Sequence, residues 1–162
     1  MNLTDKFLLF GFRLEQKWIE VTVDSQVDAL IEAVNQGFNF KTLNSSTELS
    51  RTMVFANTVD AVEAVAEVLV GAGIECYRYH RDSSLEERTK ALVDFQEKGG
   101  VFVCTDAAAR GLDIPNVSHV IQVFIVKPAT FPQHVLVKSI FLKQGHQSRK
   151  FPALEIIYYK IS

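Results

Sequence analysis

The sequence is short of cysteine, of proline and of basic charge, and each shortage excludes a class of protein. Two cysteines in 162 residues cannot build a disulfide scaffold, and both stand in apolar segments, which predicts buried thiols in a reducing compartment. Four prolines and eight glycines exclude a collagen-like chain. No apolar run reaches the ~18 residues that span a bilayer. We therefore expect no membrane partner, and because no signal-peptide cleavage site is evident we expect an intracellular protein.

The composition that remains suits one globular domain, because 48% of the residues are hydrophobic and 22% are charged. The net charge of −2 provides no overall positive field to attract nucleic acid. The charge is unevenly placed, with 11 basic and 18 acidic residues over 1–123 and 6 basic and 1 acidic residue over 124–162. The basic end is either a nucleic-acid contact or sequence without a packed role.

Strand and helix signals alternate through the acidic body of the chain. Apolar and β-branched runs predict strands at 18–23, 52–56, 74–79, 101–104 and 119–123. Helical spacing and capping residues predict helices from Ser25 to Gly37, at 58–70, at 84–97 and at 107–110, with a loop over 38–50. This alternation predicts an α/β fold with a parallel sheet and helices on both faces. Residues 124–126 and 156–159 are weaker strand candidates, so we expect the C-terminal end of the sheet to be incomplete or irregular.

Polar residues follow three consecutive predicted strands. Asn57 and Thr58 follow the first, Arg81–Asp82 the second, and Thr105–Asp106 with Arg110–Gly111 the third. Since ligands of parallel sheets bind beyond the carboxyl ends of the strands, the hydroxyl, amide and guanidinium groups among them, with the exposed N–H groups of the helix starts, could hold a phosphate chain. Asn57 and Thr58 are equally good helix N-caps, so a purely structural role stays open for both.

Three segments resemble the DEAD-box family of RNA helicases, in the family's order and spacing. VCTDAAARGLDIPNVSHVI is similar to the family's T-D-x-x-A-R-G-x-D motif, RTMVFANT to its preceding strand motif, and YHRDSSLEERTKALVDF to the H-G-D stretch with its later arginine. The resemblance runs from Trp18 to Gln122 and is closest in texture to plant organellar members. It implies a RecA-like C-terminal lobe over 18–123, a non-matching extension over 1–17, a divergent basic tail over 124–162, and a chloroplast or mitochondrial location.

The resemblance also implies a role for individual residues. The RNA-binding residues would be Asn57, Thr58, Arg88, Thr105, Arg110 and Gly111, on single-stranded RNA, and Asp113 would reach the ATP ribose. Arg88 could instead be an ordinary surface charge, and Asp113 could cap the turn before Pro115. His80 has no second ligand at metal-binding spacing, so we expect no metal site.

The departures from the family define what we expect this chain to do alone. It contains no G-x-x-x-x-G-K-[ST] and no D-E-A-D run, and PATFPQHVLVKSIFLKQG stands where the family has H-R-x-G-R-x-x-R. Arg81 replaces the usual glycine, and its side chain would crowd the RNA backbone. We therefore predict the RNA-binding half of an ATP-dependent helicase, with the first RecA-like lobe as its partner. ATP with Mg²⁺ would bind only in the complete two-lobe enzyme, and this chain would carry no catalytic residue and no hydrolysis.

Two alternatives remain open at this point. The chain could be a non-catalytic fragment that binds RNA or a partner, or a non-functional truncated product. The match ends abruptly near Gln122, where the charge reverses. We therefore expect residues 124–162 to come from truncation, alternative splicing or a gene-model error rather than from the family.

Overall fold

The computed structural model describes residues 3–9, 12–21, 25–44, 49–125 and 135–143. Its strands are β1 Leu3–Leu9, β2 Phe12–Val21, β3 Arg51–Ala56, β4 Cys76–Tyr79, β5 Gly100–Thr105, β6 His119–Ile125 and β7 Val135–Lys143. Its helices are α1 Gln26–Asn44, α2 Val59–Gly71, α3 Leu85–Lys98 and α4 Asp106–Ala109.

The described strands form one sheet in the order β1-β2-β7-β6-β3-β5-β4. The four strands β6, β3, β5 and β4 are parallel, which confirms the predicted parallel sheet. The strands β7, β2 and β1 extend this sheet in antiparallel pairs. Sequence analysis predicted neither β1 nor β7, although residues 135–141 of β7 pair with β6 along the whole length of β6.

Side chains of the parallel strands alternate between two cores, one on each face of the sheet. Along β3, Val54 and Ala56 pack with α1 and α2, whereas Met53 and Phe55 pack with α3. Phe95 of α3 is fully buried on the second face. Helices therefore cover both faces, as predicted, and the strands between them are apolar on both sides because neither side meets water.

Gly37 does not end α1, which corrects the sequence prediction. A Cβ added at Gly37 would overlap the His119 imidazole at Nδ1 and would lie 2.9 Å from Thr52 Oγ1. The glycine therefore lets the helix backbone approach β3 and β6 closely and is not a terminator. The helix continues to Asn44, so the loop predicted over 38–44 is wrong, and residues 45–48 lie outside the described part.

The other predicted elements differ from the structure mainly at their ends. The strand β2 begins at Phe12 rather than at 18, and β6 continues to Ile125, which confirms most of the predicted extension over 124–126. The helix α3 ends at Lys98, before Gly99 with φ 73°. The strand predicted over 156–159 lies outside the described residues.

Candidate functional site

The carboxyl ends of the parallel strands bring several predicted site residues to one edge of the sheet. Ala56 of β3 pairs with Thr105 of β5 on one side and with Val123 of β6 on the other. In the same register Tyr79 of β4 pairs with Cys104. Asn57 and Thr105 therefore lie on neighbouring strands at this edge, as the sequence predicted.

Thr58 is the N-cap of α2. Its Oγ1 accepts a hydrogen bond from the backbone N–H of Ala61 at 3.1 Å, and the residue is exposed. The structural alternative is thus confirmed for Thr58, while Asn57 is exposed and precedes the cap. A hydroxyl that accepts a hydrogen bond in this way can still donate one through its own O–H, so Thr58 can cap the helix and bind a ligand at the same time.

Thr105 repeats this arrangement at the end of β5. Its Oγ1 accepts a hydrogen bond from the backbone N–H of Ala108 at 3.2 Å and so caps the single turn of α4. Arg110 follows this turn and is exposed. Gly111 has φ +81°, and a Cβ added there would meet nothing within 4 Å. Its backbone is therefore open to close approach by a ligand.

Asp106 is a member of this group that sequence reasoning did not assign. Its side chain is partly buried, and its Oδ1 has no hydrogen-bond partner among the described residues. Burial raises the pKa of the Asp106 carboxyl, and the nearby Arg110 charge opposes that rise. Its position directly after Thr105, at the end of a predicted strand, was a readable signal in the sequence.

Arg88 lies in the first turns of α3, whose start is fixed by a capping box. The Ser84 hydroxyl accepts from the Glu87 N–H at 3.2 Å, and the Glu87 carboxylate accepts from the Ser84 N–H at 2.8 Å. These bonds lower the pKa of Glu87. Arg88 is partly buried, and its Nε is enclosed without a hydrogen-bond partner among the described residues. It is therefore not a fully solvated surface charge.

Asp113 contacts α3 through its main chain. Its main-chain oxygen accepts a bond from Gln96 Nε2 at 3.4 Å, near the C-terminal end of α3, and the next residue, Ile114, is buried in the core. The side chain is exposed, and its carboxylate makes no capping hydrogen bond within the described part of the chain.

His80 is buried and belongs to a small polar cluster with Glu63 of α2. The imidazole Nε2 lies 2.7 Å from one Glu63 carboxylate oxygen, and Arg78 Nε lies 3.3 Å from the other. Sequence reasoning missed Glu63, because only the packing of α2 against β4 brings it there.

Arg81 is 85% exposed and pairs with Asp82 at 3.4 Å, so its side chain occupies solvent outside the strand end.

The described residues contain no cluster of three or more histidine, cysteine, aspartate or glutamate side chains that could hold a metal. Across that part of the chain, no helix is long and apolar enough to cross a membrane.

Both cysteines are free thiols; Cys104 is buried, as predicted, and Cys76 is only partly so. Burial raises the pKa of the Cys104 thiol well above its usual range, which keeps it protonated and unreactive.

Comparison with known protein families identifies the family to which this fold belongs. The model of the helicase conserved C-terminal domain matches residues 25–135, and the chain therefore belongs to this family. The chain is also similar to two plant proteins named DEAD-box ATP-dependent RNA helicase 22. The protein from Arabidopsis thaliana is 67% identical and that from Oryza sativa subsp. japonica 60% identical, each over 110 residues. The chain is thus a DEAD-box helicase C-terminal lobe, and its predicted organellar location stays a prediction.

The aligned segments cover 68% of this chain but only 18% and 19% of the two plant helicases. This chain therefore spans about a fifth of the length of those relatives. Among solved structures, domain 2 of the DEAD-box helicase Mss116p bound to an RNA duplex is 26% identical, with a TM-score of 0.46, over 59% of this chain and 38% of that one. The E. coli DEAD-box protein SrmB bound to RraA is 34% identical, with a TM-score of 0.43, over 57% and 54%.

Proposed function

We propose that the carboxyl edge of the parallel sheet binds the sugar-phosphate backbone of single-stranded RNA, as half of a two-lobe ATP-dependent helicase. The observation that carries the proposal is the pairing of Ala56 with Thr105. This register sets the N-cap hydroxyls of Thr58 and Thr105 on adjacent strand ends, beside the exposed Arg110 and the open backbone at Gly111. Asn57 follows Ala56 at the same edge, and we add Arg88 from the first turn of α3, the helix that follows β4.

These groups suit a phosphate backbone better than bases. Each N-cap hydroxyl still donates one hydrogen bond, and a guanidinium offers a planar fork that matches two phosphate oxygens. Gly111, in its left-handed conformation, exposes main chain that a larger residue would cover. Contacts of this kind position a nucleic acid without reading its sequence, so we expect binding to tolerate different RNA sequences.

In this proposal the lobe contributes a single residue to ATP binding. The relatives' names describe ATP-dependent helicases, and ATP with Mg²⁺ would supply the phosphoryl chemistry of the complete enzyme. The exposed Asp113 carboxylate could accept a hydrogen bond from a ribose hydroxyl. The sequence contains no G-x-x-x-x-G-K-[ST] to cradle the phosphates. We therefore assign the phosphates and Mg²⁺ to the first lobe, and we assign no catalytic residue to this chain.

Binding of a labelled oligouridylate, followed by fluorescence anisotropy, tests the RNA proposal on the full chain. Arg110→Ala should weaken binding about tenfold, because a charge-assisted hydrogen bond contributes roughly 1.5–3 kcal/mol. It should also reduce the slope of log K against log salt concentration by about 0.7, the value for one phosphate contact on a single strand. Lys98→Ala is the matched control, since Lys98 ends α3 at the opposite edge and pairs with Asp94 at 2.8 Å.

The comparison of the two variants decides the result. Equal affinity losses in Arg110→Ala and Lys98→Ala would show that RNA responds only to total charge, including the basic tail, and would refute a site at this edge. Loss confined to Arg110→Ala, with unchanged thermal stability, would support it. A strong preference for one base sequence would contradict the backbone-reading mechanism even if the site were correct.

A further inference from the structure

The turn between β4 and α3, residues 80–84, determines where α3 begins. Tyr79, the last residue of β4, pairs with Cys104 near the end of β5, so the turn starts at the carboxyl edge of the sheet. The middle of the turn lies in solvent, since the side chains of Arg81 and Asp82 are 85% and 61% exposed. Burial of these central residues therefore does not hold the turn in place.

Among residues 80–84 only His80 is buried, with 7% of its surface exposed. Its imidazole Nε2 lies 2.7 Å from a carboxylate oxygen of Glu63, which belongs to α2. Its main-chain oxygen accepts a hydrogen bond from the Ser83 N–H at 3.2 Å, and the Ser83 hydroxyl lies 3.3 Å from Nε2. His80 thus connects the turn, through its side chain, to α2.

The helix α2 is a firm anchor for this contact. Its residues Val62 and Leu69 are fully buried in the core between the helix and the sheet. Glu63 follows directly after Val62, and its second carboxylate oxygen lies 3.3 Å from Arg78 Nε. The carboxylate is therefore oriented from two sides, and hydrogen bonds to a carboxylate are stronger than those to a neutral acceptor. Glu63 can in this way hold His80 against the sheet.

The first turn of α3 transmits this placement to Arg88. Ser84 is the N-cap of the helix, and its main-chain oxygen accepts a hydrogen bond from the Arg88 N–H at 3.0 Å. Arg88 is partly buried, and its Nε is enclosed without a hydrogen-bond partner among the described residues. A side chain enclosed in this way has little freedom to reach a ligand by itself. The position of the helix start therefore determines where its guanidinium lies.

We propose that His80 and Glu63 are positioning residues for RNA, because their contact fixes the turn 80–84 and so holds Arg88 in place to bind a phosphate. The inference rests on the function proposed above, since it takes Arg88 as a phosphate ligand. In this arrangement neither His80 nor Glu63 touches RNA. Their contribution is preorganisation, because a guanidinium that is already in place loses less conformational entropy on binding.

Binding of labelled oligouridylate to the full chain, followed by fluorescence anisotropy, tests the inference. Glu63→Ala should weaken binding roughly three- to tenfold, the range expected when one side chain must be ordered on binding. Glu63→Gln keeps an acceptor for the imidazole and should restore most of the affinity. Glu67→Ala is the matched control, since Glu67 is exposed and lies one helical turn further along α2. Both alanine variants remove one negative charge, which by itself favours RNA binding, so charge alone predicts the opposite sign.

A double variant separates positioning from a general loss of structure. In a chain that already carries Arg88→Ala, the change Glu63→Ala should cause no further loss of affinity, because the contact acts through Arg88. Equal losses from Glu63→Ala with and without Arg88 would overturn the inference. So would a loss in Glu67→Ala as large as that in Glu63→Ala, or parental affinity in Glu63→Ala.

Two further measurements keep this result apart from the RNA proposal itself. If Arg110→Ala weakens binding while Glu63→Ala does not, RNA binds at the carboxyl edge without this positioning. If neither Arg110→Ala nor Arg88→Ala weakens binding, the RNA site is refuted and the inference with it. Amide hydrogen exchange by NMR needs no RNA: the Ser83 amide should exchange several-fold faster in Glu63→Ala and at the parental rate in Glu63→Gln. An unchanged rate in Glu63→Ala would show that Glu63 does not hold the turn.

Discussion

The close approach of α1 to the sheet at Gly37 predicts the outcome of a single-methyl substitution. A Cβ at this position would overlap the His119 imidazole and crowd Thr52 Oγ1 at 2.9 Å, and both neighbours are essentially fully buried. Neither can rotate into solvent, so the helix or the sheet must shift. Overpacking of this kind typically costs about 1–3 kcal/mol.

The same substitution also stabilises the helix backbone. The sign of the change in the free energy of unfolding therefore shows whether the overlap or the helix propensity is the larger effect. Glycine to alanine in a helix interior gains about 1 kcal/mol from backbone entropy. Because the added Cβ overlaps a fully buried side chain, we place the cost in the upper part of its range, at about 2–3 kcal/mol. We therefore expect Gly37→Ala to lower the free energy of unfolding by about 1–2 kcal/mol. For a chain of this size that corresponds to a fall in Tm of roughly 2–8 °C. Gly71→Ala, where the added Cβ meets nothing within 4 Å, should leave stability unchanged or slightly higher.

Thermal and urea unfolding followed by circular dichroism measure both variants. A double variant, Gly37→Ala with His119→Ala, identifies the cause, because removal of the imidazole should relieve the overlap and give a coupling energy of at least about 0.5 kcal/mol. If Gly37→Ala proved as stable as the parent, the close packing would be refuted and Gly37 would be an ordinary helix residue. Purely additive effects would exclude His119 as the partner.

Two further predictions concern pH and catalysis. Burial lowers the pKa of His119 to about 3, below the unfolded value of about 6.5, so the unfolded state binds the extra proton between these values. Stability should therefore be fully present above pH 6.5 and fall by about 1.4 kcal/mol per unit below it. His119→Asn should flatten this slope in urea titrations at several pH values, and an unchanged slope would exclude His119 as its source. The purified chain should show no RNA-stimulated release of phosphate from ATP, and a measurable rate would contradict our assignment of the phosphates and Mg²⁺ to the first lobe.

Local sequence signals predicted the parallel half of the sheet and the residues that cap its helices. The run Met53–Ala56 is apolar without interruption because both faces of β3 are covered, and Ser84 with Glu87 forms the predicted capping box. Interactions distant in sequence explain the failures. The strand β7 forms by pairing with β2 on one side and with β6 on the other. These partners are distant along the chain, so the pairing could not be predicted from the local sequence. Gly37 was misread because its neighbours, Thr52 and His119, are distant along the chain.

The candidate site is built largely from groups that the fold also requires, and this changes how it must be tested. Thr105 closes the turn of α4, and in our proposal its O–H also binds a phosphate, so alanine would remove both functions and leave the cause of any loss ambiguous. Aspartate is an equally good N-cap, but its charge repels phosphate. We therefore expect Thr105→Asp to keep the thermal stability of the parent while weakening oligouridylate binding at least about tenfold, the loss of one charge-assisted contact. Thr105→Ser should keep both properties. If Thr105→Asp bound RNA normally, Thr105 would be a helix cap alone and the RNA-binding edge would have to exclude it.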